Sequence, residues 1–263
     1  MRLPGISKDQ MIEVDRIMME EYNVPVELMM EHAGLNLARL STIKAEDANT
    51  IFQVIAGSGN NGGGGIVAAR RLKSWGREVE IYFPKGKRAL YDTPRKQSIR
   101  AQKIGVPLFD GIPSRPTKNC LILDCYIGYG YKNRKDDISN TVFSFLQNNS
   151  KIISLDAPSG LDITSGENIG NFEPLATLTI AFIKKGLMTT KNQFIGELWI
   201  TDIGVPSKVY QNKLGINWSG LFDSKDLMKL DEKFLQDSLH RVIIEKDSNK
   251  NQIFWWLAVP NFL

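Results

Sequence analysis

The sequence predicts an α/β protein: a doubly wound, mainly parallel sheet of Rossmann-like type with a short C-terminal extension. Three observations predict it. Short apolar runs alternate with segments of helical periodicity between Thr50 and Phe182. A glycine-rich stretch, Gly57 to Gly65, directly follows the first of these runs. Two later runs end at carboxylates, Asp124 and Asp156, each followed by a turn that contains glycine.

Each element has its own signal. Ser7 and Gln10 form a capping-box pair, and Met11, Val14, Ile17 and Met18 recur at helical spacing, so the chain opens with an amphipathic helix that packs on a sheet. A second helix is expected from Pro25, at the first helical position, to Leu40, with polar Ser41 to Asn49 as a connection. Ile51, Phe52, Val54 and Ile55 mark the first strand. The glycines then read as a loop, and a helix runs from about Gly64 to Gly76. The cycle repeats: strand Val79 to Phe83, helix within Tyr91 to Ile104, strand Cys120 to Leu123, helix within Asp137 to Leu146, then strands Lys151 to Leu155 and Leu175 to Phe182.

After Pro206 the pattern weakens to a possible helix, Ser224 to Leu239, and an apolar stretch, His240 to Glu245. This divides the chain into a main domain over 1–210 and an extension over 211–263, too short for another standard domain.

Composition narrows the function class. The 263 residues include 33 Lys+Arg and 29 Asp+Glu, a net charge of +4, and no basic run dense enough for a nucleic-acid patch. Cys120 and Cys125 lie on or beside a buried strand, which argues against a disulfide scaffold and for a reducing, cytoplasmic setting. Met1 to Glu21 carries Lys8, Asp9, Glu13, Asp15 and Arg16 and reads as neither signal peptide nor membrane span. The short apolar run Ile253 to Pro260 could be an anchor, but its length favours a packed strand or a dimer contact.

In open parallel sheets ligands bind beyond the carboxyl ends of the strands, which directs attention to three loops. In Gly57-Ser58-Gly59-Asn60-Asn61-Gly62-Gly63-Gly64-Gly65, missing side chains let a phosphate-bearing ligand approach backbone N–H groups and a helix N-terminus. Gly57, Gly59 and Gly62 satisfy G-x-G-x-x-G, a pattern that ligand-free turns also produce. No acidic residue follows Phe83, where a dehydrogenase holds its ribose; Lys85, Lys87 and Arg88 stand there instead, able to reach a 2′-phosphate or to face solvent. The second and third loops carry Asp124 with Gly128-Tyr129-Gly130-Tyr131, and Asp156 with Pro158-Ser159-Gly160. A lone aspartate at a strand end is often only a helix cap; two facing one crevice suit cation binding by one and proton transfer by the other. Lys184 could join them or be an exposed charge. With two His and two Cys, a transition-metal site is not expected, and no nucleophile elbow is present.

Together these loops resemble the YjeF N-terminal domain family, whose enzymes are NAD(P)H-hydrate epimerases. The resemblance spans about residues 7 to 206 and rests on collinear motifs: Asp9-Gln10-Met11, Leu28-Met29-Met30-Glu31-His32-Ala33-Gly34, Gly57 to Gly65, Asp124 to Gly130, Ser154 to Asp162, Thr177 to Leu187, and Asp202-Ile203-Gly204-Val205-Pro206. It implies an isomerase that interconverts the R and S forms of hydrated NADH or NADPH, so that a separate dehydratase can restore the nucleotide. It further implies a potassium ion (K+) on Asn61, Asp124 and Ser159, and a hydrate site lined by Asn60, Asn61, Gly62, Gly63 and Gly64, by Gly128, Tyr129, Gly130, Tyr131, Lys132, Asn133 and Arg134, and by Asp156. Asp156 is the expected acid/base and Lys184 its catalytic companion. Homodimerisation is common in the family; neither nucleic acid nor membrane is an expected partner.

Two departures stand out. Gly64 replaces the family's aspartate and Ile183 replaces a proline common before the lysine. The first keeps open an alternative reading: a non-catalytic nucleotide-binding or scaffold module with a degraded site.

Overall fold

The computed structural model describes residues 5–114, 119–130, 136–216 and 222–230. Its sheet has eight strands in the order β3-β2-β1-β4-β5-β6-β7-β8. They are β1 Ile51–Ala56, β2 Val79–Phe83, β3 Leu108–Asp110, β4 Cys120–Cys125, β5 Ile152–Leu155, β6 Ala176–Ile180, β7 Glu197–Thr201 and β8 Leu227–Lys229. The first seven are parallel; β8 runs antiparallel to β7 at one edge. The chain moves outward from β1 to β3 and then returns to place β4 on the other side of β1. This makes a topological switch point at β1/β4, where such sheets bind ligands.

Among the described residues, seven α-helices pack around the sheet: α1 Lys8–Glu20, α2 Val26–Lys44, α3 Asn60–Ser74, α4 Asp92–Lys103, α5 Asp137–Gln147, α6 Lys185–Thr189 and α7 Ser207–Leu214. Alternate residues of β1 face opposite layers, as pleating requires. Phe52, Val54 and Ala56 join Leu37 and Leu40 of α2 and Ile66, Ala69 and Leu72 of α3, while Ile55 joins Val142 and Leu146 of α5. A separate cluster under α1 packs Met11, Val14 and Ile17 against Phe182, Ile203 and Tyr210.

The capping box at Ser7 and Gln10 forms as expected. Pro25 stands one position earlier than predicted: it is the N-cap, and α2 begins at Val26 and continues to Lys44, so the first part of the predicted connection is helical. The larger difference is the glycine tract. α3 begins at Asn60, about a turn before the expected start near Gly64, so Gly62 and Gly63 lie with Gly64 and Gly65 buried in its first turns and not in the loop. A Cβ on Gly63 would meet Met30 at 2.6 Å, one on Gly65 would meet Cys125 at 2.6 Å, and one on Gly34 would meet Val67 at 2.5 Å. Close packing of α3 on α2 and the sheet therefore outweighs the low helix propensity of glycine. The region read as a helix, Ser224 to Leu239, instead contains β8, whose edge pairing with β7 overrides local propensity; residues 231–239 lie outside the described residues, as do His240 to Glu245 and Ile253 to Pro260. Strands β3 and β7 and helices α6 and α7 had no sequence prediction; α7 crosses position 210 and β8 completes the same sheet. Among the described residues, no helix is long and apolar enough to cross a membrane.

Glu31 ties three helices together. From α2 it accepts hydrogen bonds from Arg70 (2.5 Å) and Arg71 (2.9 Å) of α3 and from Gln97 (3.2 Å) of α4. Burial pushes its carboxyl up, but the two guanidinium groups outweigh this and hold it below the ordinary value of 4.5. A lowered folded-state value means stabilisation that is present above the unfolded value and lost as pH falls. Glu31→Gln is therefore expected to cost about 1–2 kcal/mol at neutral pH. In urea melts, the difference from wild type should shrink as the pH drops below 4.5.

Candidate active site

The carboxyl ends of β1, β4, β5 and β6 open on one cavity of about 660 Å³, a size typical of small-ligand sites. Its lining includes Asn60, Asn61 and Gly64 of α3, Gly128, Tyr129 and Gly130 after β4, Asp156 after β5 and Lys184 after β6. Met11 and Asp15 of α1 complete one side.

Two tight turns present the central pair. Asp156 follows β5 with φ of 69°, and across it Ala157 N–H donates to the Leu155 carbonyl at 2.9 Å. Ala181 follows β6 with φ of 63°, and across it Phe182 N–H donates to the Ile180 carbonyl at 2.6 Å. Both are γ-turns about a left-handed non-glycine residue, a strained conformation that persists where surrounding structure enforces it and that concentrates at functional sites. Here Asp156 N–H donates to Leu178 at 2.7 Å, and the buried Tyr210 hydroxyl donates to the Ala181 carbonyl at 3.2 Å.

The outcome is a buried ion pair. Lys184, which the sequence left as a possible surface charge, has no exposure: its ammonium contacts Asp156 Oδ1 and donates to the Ile180 carbonyl (2.6 Å) and Thr179 Oγ1 (3.2 Å). Ile183, in place of the proline, lends its carbonyl to Ile6 N–H at 2.8 Å, which bridges the chain start to this segment. The other Asp156 oxygen, Oδ2, accepts Tyr129 N–H at 2.8 Å. Asp156 is thus fixed from two sides with its carboxylate at the cavity wall.

Asp124 does not point into the cavity as expected. β4 runs on to Cys125, so Asp124 lies within the strand, fully buried behind the site. Its oxygens accept Ser159 Oγ–H (2.5 Å), Ser159 N–H (2.8 Å), Ser154 Oγ–H (2.9 Å) and Tyr126 N–H (3.4 Å). Burial raises its pKa against these hydrogen bonds. Ser159 also accepts Ile127 N–H at 3.0 Å, so Asp124 positions the turns that follow β4 and β5.

The glycines around the cavity are close-approach positions. A Cβ on Gly57 would fall 1.8 Å from the Tyr126 carbonyl oxygen, and one on Gly62 would fall 1.9 Å from the Gly57 carbonyl oxygen. At Gly128 it would lie 2.8 Å from Asp156 Oδ2. The missing carboxylate at Gly64 leaves a buried position whose Cβ would lie 2.8 Å from Leu155.

The chain matches the model of the family described as YjeF-related protein N-terminus over residues 26–186. It belongs to that family. It is 36% identical over 204 residues to the NAD(P)H-hydrate epimerase of Dehalogenimonas lykanthroporepellens, covering 76% of this chain and 82% of that protein. It is 29% identical to the enzyme of the same name from Dictyostelium discoideum, covering 72% of this chain and 82% of that one. The bifunctional NAD(P)H-hydrate repair enzyme Nnr of Archaeoglobus fulgidus is 31% identical over 72% of this chain, which spans only 39% of that longer protein. The crystal structure of yeast ynu0 (YNL200c) superposes with a TM-score of 0.73 over 87% of this chain and all of that one; at 22% identity it supports the fold alone.

For this YjeF-related chain, the donors expected around potassium are present. Asp124 is a fully buried carboxylate whose partners among the described residues are hydroxyls and amides, with no basic side chain, an arrangement that a nearby cation would balance. The Asn61 amide lies 3.2 Å from both the Leu155 carbonyl oxygen and the Gly128 N–H. The amide nitrogen donates to the Leu155 carbonyl and the amide oxygen accepts Gly128 N–H, which ties the start of α3 to the turns after β4 and β5. Oxygen donors of amide, carboxylate and hydroxyl type suit a hard cation.

Of the remaining candidates, Tyr131, Lys132, Asn133 and Arg134 lie outside the described residues. Lys85 lines the cavity and pairs with Asp136 at 3.2 Å, whereas Lys87 and Arg88 are exposed. His32 is exposed on α2. Sequence reasoning missed Asp15. Its signal was a carboxylate four residues after Met11 and three before Met18, on the apolar stripe of α1.

Proposed function

We propose that this chain is an NAD(P)H-hydrate epimerase, an isomerase acting on hydrated NADH and NADPH. The observation that carries the reading is the buried Asp156–Lys184 pair at the wall of a nucleotide-sized cavity, in a chain 36% identical to a protein named for that activity. Two relatives that join further sequence to this domain are named bifunctional hydrate repair enzymes, which supports functional coupling to a dehydratase.

Epimerisation requires the hydroxyl on the hydrated ring carbon to leave and return. The ring nitrogen's lone pair assists its expulsion, so the protein must supply a proton and then accept one. Asp156 is the acid/base: its Oδ2 is anchored by Tyr129 N–H and its Oδ1 by Lys184, leaving little rotational freedom to lose on binding. The N-terminal turn of α3 places Asn60 and Asn61 at the cavity wall, where its first backbone N–H groups can meet the substrate's phosphates; Gly62 and Gly63 pack behind the wall and do not line it, and Gly63 N–H is given to the Gly59 carbonyl. Asn61, Asp124 and Ser159 would hold K+, whose charge would offset the buried Asp124 and add positive potential for an anionic nucleotide.

The scaffold reading rests on Gly64 and would have the same cavity bind nucleotide without turnover. The ordered proton-handling pair favours the enzyme. The decisive experiment is protein-dependent turnover of the R hydrate, which the epimerase reading requires and the scaffold reading forbids. Binding of the ion has its own readout: thermal denaturation in matched chloride buffers should show melting a few degrees higher in potassium than in lithium. Equal melting in both would remove the ion from the account.

A further inference from the structure

Asp15 and Tyr129 form a feature that the proposed mechanism does not use. Asp15, from α1, accepts the Tyr129 phenol at 2.5 Å through Oδ2, and both side chains line the cavity. The backbone N–H of the same tyrosine donates to Asp156 Oδ2. One tyrosine therefore spans two carboxylates, its amide on one and its hydroxyl on the other, in a single cavity. The carboxylates come from different elements, α1 and the β5 turn, and only Asp156 contacts Lys184.

We infer that Asp15, held by the Tyr129 hydroxyl, is a second proton-handling carboxylate that works with Asp156 on the two faces of the hydrated ring. The inference rests on the epimerase reading. Inverting one carbon by loss and return of water needs a proton delivered on the face where hydroxyl departs and a proton removed on the face where water adds. Two carboxylates held by the amide and the hydroxyl of one tyrosine, on different elements of the same cavity wall, can divide those two tasks.

The step balances. The Asp15 carboxyl gives its proton to the departing hydroxyl, the C–O bond breaks, and water leaves with that bond's electron pair. The ring nitrogen's lone pair forms the C=N bond. Water then adds to the opposite face, the π pair returns to nitrogen, and the water's proton passes to Asp156. The reverse reaction starts from the opposite protonation, and exchange with solvent resets the pair. Burial raises the Asp15 pKa, with a further contribution from the Asp156 charge, against the pull of Tyr129 and Lys184, which suits it to hold a proton.

The test compares Asp15→Asn, Asp15→Glu and Tyr129→Phe with wild type, using purified R-NADPH hydrate and an excess of dehydratase, and records kcat, KM and melting temperature. Asp15→Asn is expected to lower kcat about 10²-fold or more with KM within about threefold, and Asp15→Glu to recover part of the loss. Tyr129→Phe, which removes one oxygen, is expected to lower kcat roughly tenfold and to shift the limb of the pH profile that reports the acid. Unchanged kcat in a folded Asp15→Asn enzyme overturns the inference while leaving the epimerase intact. If that variant does not fold, unchanged kcat in Tyr129→Phe overturns it. A wild-type protein with no turnover sinks the epimerase reading and this inference together.

Discussion

Asp156→Asn is expected to reduce turnover of the hydrate by about 10²–10⁴-fold, the usual contribution of a positioned acid/base. The substitution is informative because it leaves so much in place. Residue 156 has φ of 69°, and asparagine is among the few non-glycine residues that adopt this left-handed region readily. Its amide oxygen can still accept Tyr129 N–H, so the γ-turn after β5 and the loop after β4 should persist. What is lost is the ability to give and take a proton, together with the negative charge that balances the buried Lys184, so a fall in melting temperature is expected beside the loss of turnover. Near-normal turnover by a folded Asp156→Asn protein would remove Asp156 from the chemistry.

Lys184→Met is expected to have the largest effect on stability. Deleting one partner of a buried ion pair strands the other charge, at a cost of about 3–5 kcal/mol. In a chain of this size that corresponds to a fall in melting temperature of roughly 10 °C. Lys184 is fully enclosed and Asp156 is 2% exposed, so the stranded carboxylate regains little hydration. The double variant Asp156→Asn/Lys184→Met should recover much of the loss, because the remaining amide carries no charge. Additive losses in the double variant would mean that the two side chains do not act as a pair.

The fold was legible because strands β1, β4, β5 and β6 are buried on both faces and read as short apolar runs, and β2 alternates buried Val79, Ile81 and Phe83 with half-buried Glu80 and Tyr82. The strands that were missed have other patterns. β3 has three residues with Phe109 exposed, β7 is half-buried over Glu197 to Trp199, and β8 is an antiparallel edge added by tertiary pairing. The glycine tract was recognised as special for the correct reason, close approach of backbone. The start of the helix at Asn60, ahead of Gly62 and Gly63, was not visible, because the partners that enforce it, Met30, Leu155 and Cys125, are distant in sequence.

The site divides in the same way. Asp156 was legible as a carboxylate after a strand, a position that topology turns toward the cavity. Asp124 carried the same signal, yet one further residue of strand buries it and makes it a support for Ser159. The burial of Lys184 could not be read locally, since the strained turn at Ala181 redirects the chain. Asp15 stands more than a hundred residues before Tyr129, and only the fold brings them together.

The central claim is tested most directly by turnover itself. Purified protein in potassium buffer is mixed with hydrated NADPH from which an active dehydratase has already consumed the S epimer, and the remaining R form is followed by chromatography. The expected result is rapid loss of R in proportion to the protein added. Loss no faster than the spontaneous rate, with the protein folded and the dehydratase active, would contradict the epimerase and leave a nucleotide-binding module in its place.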